Sequence, residues 1–271
     1  MPALSISKIL MPVDFSPRAE EAVRYAGSLA RRFHAELILL HVIEPLHIDF
    51  AMAELPGSIE RFATAQRERV QIRLEHFASS DLEGIRVVRT VSQGHPIDEI
   101  LAQAENVELV VMPTQGYGRV REFLIGSVTA KVLHDCERPV LTGIHLTENR
   151  NLPEWQVNNV LCAIDFGPES ENVLKWGAML AGEFGASVTV VHADSDPSAG
   201  QRLDHSIQAA GLKATPLVAP GEPHKVVVAT AQQIGADMVI IGRGSNTRAL
   251  GRLHAQAYEI VRKSPCPVLS V

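Results

Sequence analysis

Leu109-Val110-Val111-Met112-Pro113-Thr114-Gln115-Gly116-Tyr117-Gly118, with nine residues separating Gly116 from Gly126-Ser127-Val128-Thr129, is the stretch whose reading decides the fold. The run from Val107 to Met112 is almost wholly apolar, as expected of a parallel strand covered on both faces. Gly116 and Gly118 let the chain turn sharply and leave space beside the backbone. From Gly126 onward the apolar spacing becomes helical, with Val128, Val132 and Leu133 in register. The reading is therefore strand, glycine-bearing loop, helix start. The first N–H groups of such a helix and the Ser127 hydroxyl face the loop, and an end of this kind attracts anions.

Working outward from this stretch, the chain proves to be written twice. Leu10-Met11-Pro12-Val13-Asp14-Phe15-Ser16-Pro17 returns as Leu161-Cys162-Ala163-Ile164-Asp165-Phe166-Gly167-Pro168, and His41 returns as His192. Gly94-His95-Pro96 returns as Gly221-Glu222-Pro223, and Arg138-Pro139-Val140-Leu141 as Cys266-Pro267-Val268-Leu269. The order is kept in both halves. Asparagines and Pro153 between Thr147 and Asn158 mark the linker.

Each half alternates strand and helix patterns. In the first, the strand from Lys8 to Val13 precedes a helix opened by Ser16-Pro17, with Ala19, Ala22, Val23, Ala26 and Ala30 on its apolar stripe. A strand from Glu36 to Ile43, a helix from Ser58 to Phe77, a strand from Arg86 to Val91 and a helix opened by His95-Pro96 follow. The segment from Glu44 to Glu75 reads as extra to the first half, facing only a short stretch from Asp194 to Gln201 in the second. Alternation of this kind implies α/β architecture with parallel strands and helices on both faces.

The glycine loop resembles the nucleotide signature of the universal stress protein family, which runs Gly, two residues, Gly, nine residues, Gly, then Ser or Thr. Gly116 and Gly126 match its second and third glycines, and Ser127 its hydroxyl; Pro113 stands at the first glycine, where it removes a donor and confines φ. The resemblance implies two tandem doubly wound open sheets, strand order 3-2-1-4-5, in domains 1–147 and 157–271. In that order the carboxyl ends of strands one and four flank a ligand crevice, so Asp14 and Gly116 would converge there. The family's site, carried onto this chain, places Pro12, Val13 and Asp14 at adenine and Val42 at a backbone contact. Met112, Pro113, Gln115, Gly116, Gly126, Ser127, Val128 and Thr129 then fall at ribose and phosphates. The implied ligand is ATP, or ADP or AMP, with Mg²⁺ as an optional companion.

The second half departs further. Gly242 keeps the first glycine, but Ser245 replaces the second and Ala255-Gln256 the final glycine and hydroxyl. Arg243, Arg248 and Arg252 make its loop basic; they read as solvated surface, with a weaker anion site as the alternative. Nucleotide is expected in the first half and little or none in the second. The alternative is a scaffold or carrier whose second pocket holds a different, apolar ligand. The uncharged fifth strands are expected to pair with each other, making an intramolecular pseudo-dimer, with a homodimer of whole chains as a further option.

Composition narrows the function classes. With 25 Lys plus Arg against 31 Asp plus Glu and no basic run, nucleic acid is not the expected main partner. The N-terminal residues lack a basic region followed by an apolar core, and no segment has the length to cross a bilayer, so a soluble cytoplasmic protein is expected. Three cysteines without metal-type spacing suit reduced thiols. Gly-Lys-Ser/Thr, Gly-x-Ser-x-Gly and His-Glu-x-x-His are all missing, which points to binding, with slow ATP hydrolysis as the most catalysis expected. His41 and His192 read as structural, and His134-Asp135-Cys136 as a cluster whose side chains diverge.

Overall fold

The computed structural model describes residues 5–45, 58–114, 125–143, 156–243 and 255–271. The first half runs β1 (Lys8–Pro12), α1 (Pro17–Phe33), β2 (Glu36–Ile43), α2 (Ser58–His76), β3 (Val87–Gln93), α3 (Pro96–Ala104), β4 (Leu109–Val111), α4 (Ser127–Asp135) and β5 (Val140–Thr142). The second repeats the pattern as β6 (Asn159–Ala163), α5 (Ser170–Phe184), β7 (Ser187–Ala193), α6 (Ala199–Ala209), β8 (Thr215–Ala219), α7 (Pro223–Ile234), β9 (Met238–Ile241), α8 (Ala255–Lys263) and β10 (Val268–Ser270).

Local chemistry explains the element ends. Ser16 Oγ accepts the Ala19 N–H at 3.1 Å, Pro17 supplies a preset φ, and Glu20 sits in the positive first turn of α1. At the other end His34 adopts φ 52°, and its N–H closes on the carbonyls of the last turn. The central strands β4 and β9 are buried at every position, as a strand covered on both faces must be.

Among the described residues ten strands form a single sheet in the order β3-β2-β1-β4-β5-β10-β9-β6-β7-β8. Among the described residues pairing is parallel throughout each half, and one antiparallel pair, β5 with β10, joins them. Each half thus has the 3-2-1-4-5 order, and the two units share one continuous sheet. Alternate strand residues feed different cores: Ile9 and Met11 pack beneath α1, α2, α5 and α6, while Leu10 packs with α3, α4, α7 and α8. Both cores cross the seam. At the far ends of α1 and α5, Arg32 pairs with Glu183 at 3.0 Å, and the Phe33 and Phe184 rings meet edge to face.

The structure corrects one element. Helix α2 is no addition peculiar to the first half, because α6 fills the same place between β7 and β8. The apolar stripe of α6 is only Ala199, Leu203 and Ile207, each buried, which spans two turns and reads weakly in sequence. Boundaries also shift: β4 is only three residues long, whereas β3 extends to Gln93.

Leu141 and Leu269 are register partners across the seam, 1% and 2% exposed. Truncating either to Ala should lower the unfolding free energy by about 2–5 kcal/mol. In urea unfolding of the full chain the double variant should cost less than the sum of the two, since both open one shared cavity; strict additivity would show that the seam is loosely packed.

Candidate functional site

In the first half the chain leaves β1 for α1 on one face of the sheet and leaves β4 for α4 on the other, although β1 and β4 are adjacent and parallel. That divergence opens a crevice at their carboxyl ends. Val13, buried at its rim, donates its N–H to Leu40 O at 2.8 Å and accepts His41 Nδ1 at 2.7 Å. Asp14 is exposed, and its Oδ1 accepts the Ser16 N–H at 3.0 Å, so it shapes the turn while Ser16 caps the helix. Pro12 and Val42 are half-buried on neighbouring strands.

Across the crevice, the Met112 N–H is held by Leu141 O at 3.0 Å. Buried Pro113 accepts the Thr129 hydroxyl on its carbonyl at 3.0 Å, and Thr114 O accepts the Gly126 N–H at 2.8 Å. These two bonds fasten the start of α4 to the end of β4. Gly126 takes extended dihedrals as the residue preceding α4, no side chain among the described residues caps that end, and Ser127 is exposed there. Gln115 and Gly116 lie outside the described residues. Of the other expected residues, the fold gathers Val13 and Asp14 on one rim and Met112, Pro113 and the Gly126 to Thr129 turn on the other.

One device beside the crevice was not read from the sequence. Phe15 and Phe166, each directly after the strand-end carboxylate, adopt φ 59° and 58°, a left-handed conformation costly for a bulky residue. Each ring is clamped. Phe15 meets His41 with ring centres 4.5 Å apart beneath the Arg73 guanidinium, and Phe166 meets His192 at 4.2 Å beneath Arg202; both ring pairs are tilted, and the cation lies 4.2 Å above the phenylalanine in both. The repeated Asp-Phe pair and the repeated histidine were its sequence signal. Burial lowers the His41 pKa, more than its bond to the Val13 carbonyl raises it. His192 makes the same bond to Ile164 O at 2.8 Å, in keeping with a structural role for both rings.

In the second half a cavity of about 210 Å³ lies at the equivalent carboxyl ends, bounded by Asp165, Glu169, Gln256 and an apolar wall. Gln256 Oε1 accepts the His224 N–H at 3.2 Å and meets its Nδ1 at 2.7 Å, which ties α8 to α7 where the first half has Ser127. Arg243 corrects the sequence reading: it is 6% exposed, not solvated. Its guanidinium donates to the carbonyls of Cys136 and Arg138, the latter at 2.7 Å, fixing the turn between α4 and β5 in the other half. Arg248 and Arg252 lie outside the described residues. His134 and Asp135, expected to diverge, bond to each other, and Lys131 Nζ takes the remaining Asp135 oxygen at 2.8 Å. Burial pushes the Cys162 thiol up to about 12 and Cys266 to about 11, so neither is poised to react.

The profile described as the universal stress protein family matches residues 5–142, 156–214 and 201–271. The chain belongs to the universal stress protein family. A universal stress protein of Methanocaldococcus jannaschii is 32% identical over 150 residues, 49% of this chain and 92% of that protein. One from Thermus aquaticus is 31% identical over 137 residues, again 49% of this chain and 95% of the relative. A whole relative thus corresponds to one half, as tandem universal stress protein domains require. Across the full length, the crystal structure of a universal stress protein from Archaeoglobus fulgidus superposes with TM-score 0.75 at 21% identity, covering 97% of each chain, and shares the fold. Among the described residues of this universal stress protein no helix is long and apolar enough to cross a membrane.

Two measurements check the local physics. Replacing Arg243 with Met strips donors from one buried and one part-buried carbonyl and should cost about 1–3 kcal/mol in urea unfolding; Lys should not restore it, lacking the fork that reaches both. For His41, the unfolded chain takes up its proton first, near pH 6.5, so stability should be greatest above that value and fall as pH drops toward the lower folded pKa. Imidazole NMR should show an Nδ1–H tautomer at neutral pH, and His41→Asn should remove that part of the pH dependence.

Proposed function

We propose that the protein binds one adenine nucleotide, ATP or its ADP or AMP relatives, in the first-half crevice and acts as a stress-response binding module. Occupancy would alter contacts with a protein partner, and the ligand would not need to be consumed. The observation that carries this reading is the start of α4: a helix end that no side chain among the described residues caps, with an exposed Ser127, fastened by Gly126 and Thr129 to the end of β4 beside β1. Helix dipole and first-turn N–H groups favour phosphate there, and the Asp14 carboxylate can accept from an adenine amine or ribose hydroxyl. Were Mg²⁺ to accompany the nucleotide, the Ser127 hydroxyl would help hold it, and the ion would offset phosphate charge. Buried, unpaired Cys136, Cys162 and Cys266 suit a cytoplasmic site of action. The β5–β10 pair is read as a built-in dimer contact between the halves.

The second half supports a different reading. Its cavity is bounded by acidic side chains, and the Gln256 amide is committed to His224, so phosphate is disfavoured and a ligand of another kind is favoured.

Titration of the full chain with a fluorescent ATP analogue should reach one equivalent. Gly126→Val and Asp14→Ala should each weaken binding about tenfold or more, a loss of at least ~1.4 kcal/mol, while Asp165→Ala should leave it intact. A loss confined to the Asp165 variant would place the nucleotide in the wrong half and overturn the assignment.

A further inference from the structure

The second-half cavity has an apolar wall and acidic side chains. Val191, Val227, Ile241, Ala257 and Ile260 give the wall its apolar surface, so a molecule that fills it gains by leaving water. Exposed Asp165 and half-buried Glu169 also line the cavity, and no Lys, Arg or His lines it among the described residues. Asp165 Oδ1 accepts the Gly167 N–H at 2.8 Å and the Ser170 hydroxyl at 3.3 Å, which holds the carboxylate in place. Neither carboxylate has a cationic partner among the described residues.

Comparison of the two halves makes the charge informative. Asp14-Phe15-Ser16-Pro17-Arg18 aligns with Asp165-Phe166-Gly167-Pro168-Glu169, so the first half sets a guanidinium at the position where the second sets a carboxylate. Gly242 shows how closely that carboxylate residue is built in. A Cβ at Gly242 would lie 2.7 Å from Glu169 Cβ, so the space that glycine leaves is filled by the Glu169 stem. Two carboxylates over a low-dielectric wall attract a cation and repel a phosphate more strongly than they would in open water.

We propose that this cavity is a second binding site that takes a small organic cation, with an apolar body against the wall and an ammonium head between Asp165 and Glu169. The proposal deepens the second-half reading given above and does not depend on nucleotide binding in the first half. It assigns the two crevices of one fold to ligands of opposite charge.

Three near-isosteric probes test it on the full chain: benzylamine, benzyl alcohol and benzoate, titrated while the backbone amides of Gly167 and Ala257 are followed by NMR. Benzylamine should bind about tenfold more tightly than benzyl alcohol, benzoate should not bind, and added salt should narrow the gap between amine and alcohol. Glu169→Gln and Asp165→Asn should each remove most of the amine's advantage and spare the alcohol. Val227→Trp, which fills the cavity, should abolish binding of all three. Equal binding of amine and alcohol would overturn the charge assignment alone. Binding of benzoate or ATP at these amides would make it an anion site, and silence from all three probes would overturn the second-half reading as well.

Discussion

Three residue pairs, Thr142 with Val268, Leu141 with Leu269 and Val140 with Ser270, hold the two halves of the sheet together, and every one of the six is buried. A fifth strand left as a free edge would expose unpaired N–H and C=O groups beside an uncharged surface, which invites association. Pairing the two edges inside one chain removes both. It also merges the cores, because the helices flanking the seam then share continuous apolar layers above and below it. Arg243 adds a polar fastening from the second half to the carbonyls that end α4 in the first. The crevice helix of one half is thereby held at its far end by the other.

Within that frame the halves keep their mechanics and change their chemistry. In both halves the residue after the strand-end aspartate is a phenylalanine in the left-handed region, a conformation that costs on the order of 1–3 kcal/mol. Contact with a histidine whose Nδ1 is anchored to a strand carbonyl, with an arginine over the phenylalanine ring, offsets it. The arrangement holds the preceding carboxylate at the crevice mouth. What differs is the set of groups around that carboxylate. Ser127 is an exposed hydroxyl at a helix start that no side chain among the described residues caps, whereas Gln256 is tied down by His224; Arg18 has its counterpart in Glu169.

Much of the fold was legible because long apolar runs and helical stripes are local signals. Strand β2 and helix α2 fall where periodicity placed them, and the universal stress protein resemblance rested on Gly116, Gly126 and Ser127. Helix α6 escaped because a stripe of three apolar residues over two turns is weak against its polar neighbours. Arg243 escaped for another reason. An arginine in a glycine-rich basic loop looks solvated until the neighbouring half supplies carbonyls to receive it, and those lie more than a hundred positions earlier in the chain.

The sequence by itself determined the repeat, the alternating α/β elements, the family signature and the residue types at each crevice, since each is a matter of composition and spacing along the chain. Tertiary structure alone decided which groups were already spent. The Gln256 carbonyl on His224, the Thr129 hydroxyl on Pro113 and the space beside Gly242 occupied by Glu169 are contacts between segments brought together only by folding. A side chain's capacity to hold a ligand depends on the hydrogen bonds and space its neighbours leave to it, and those neighbours are set by packing across the sheet.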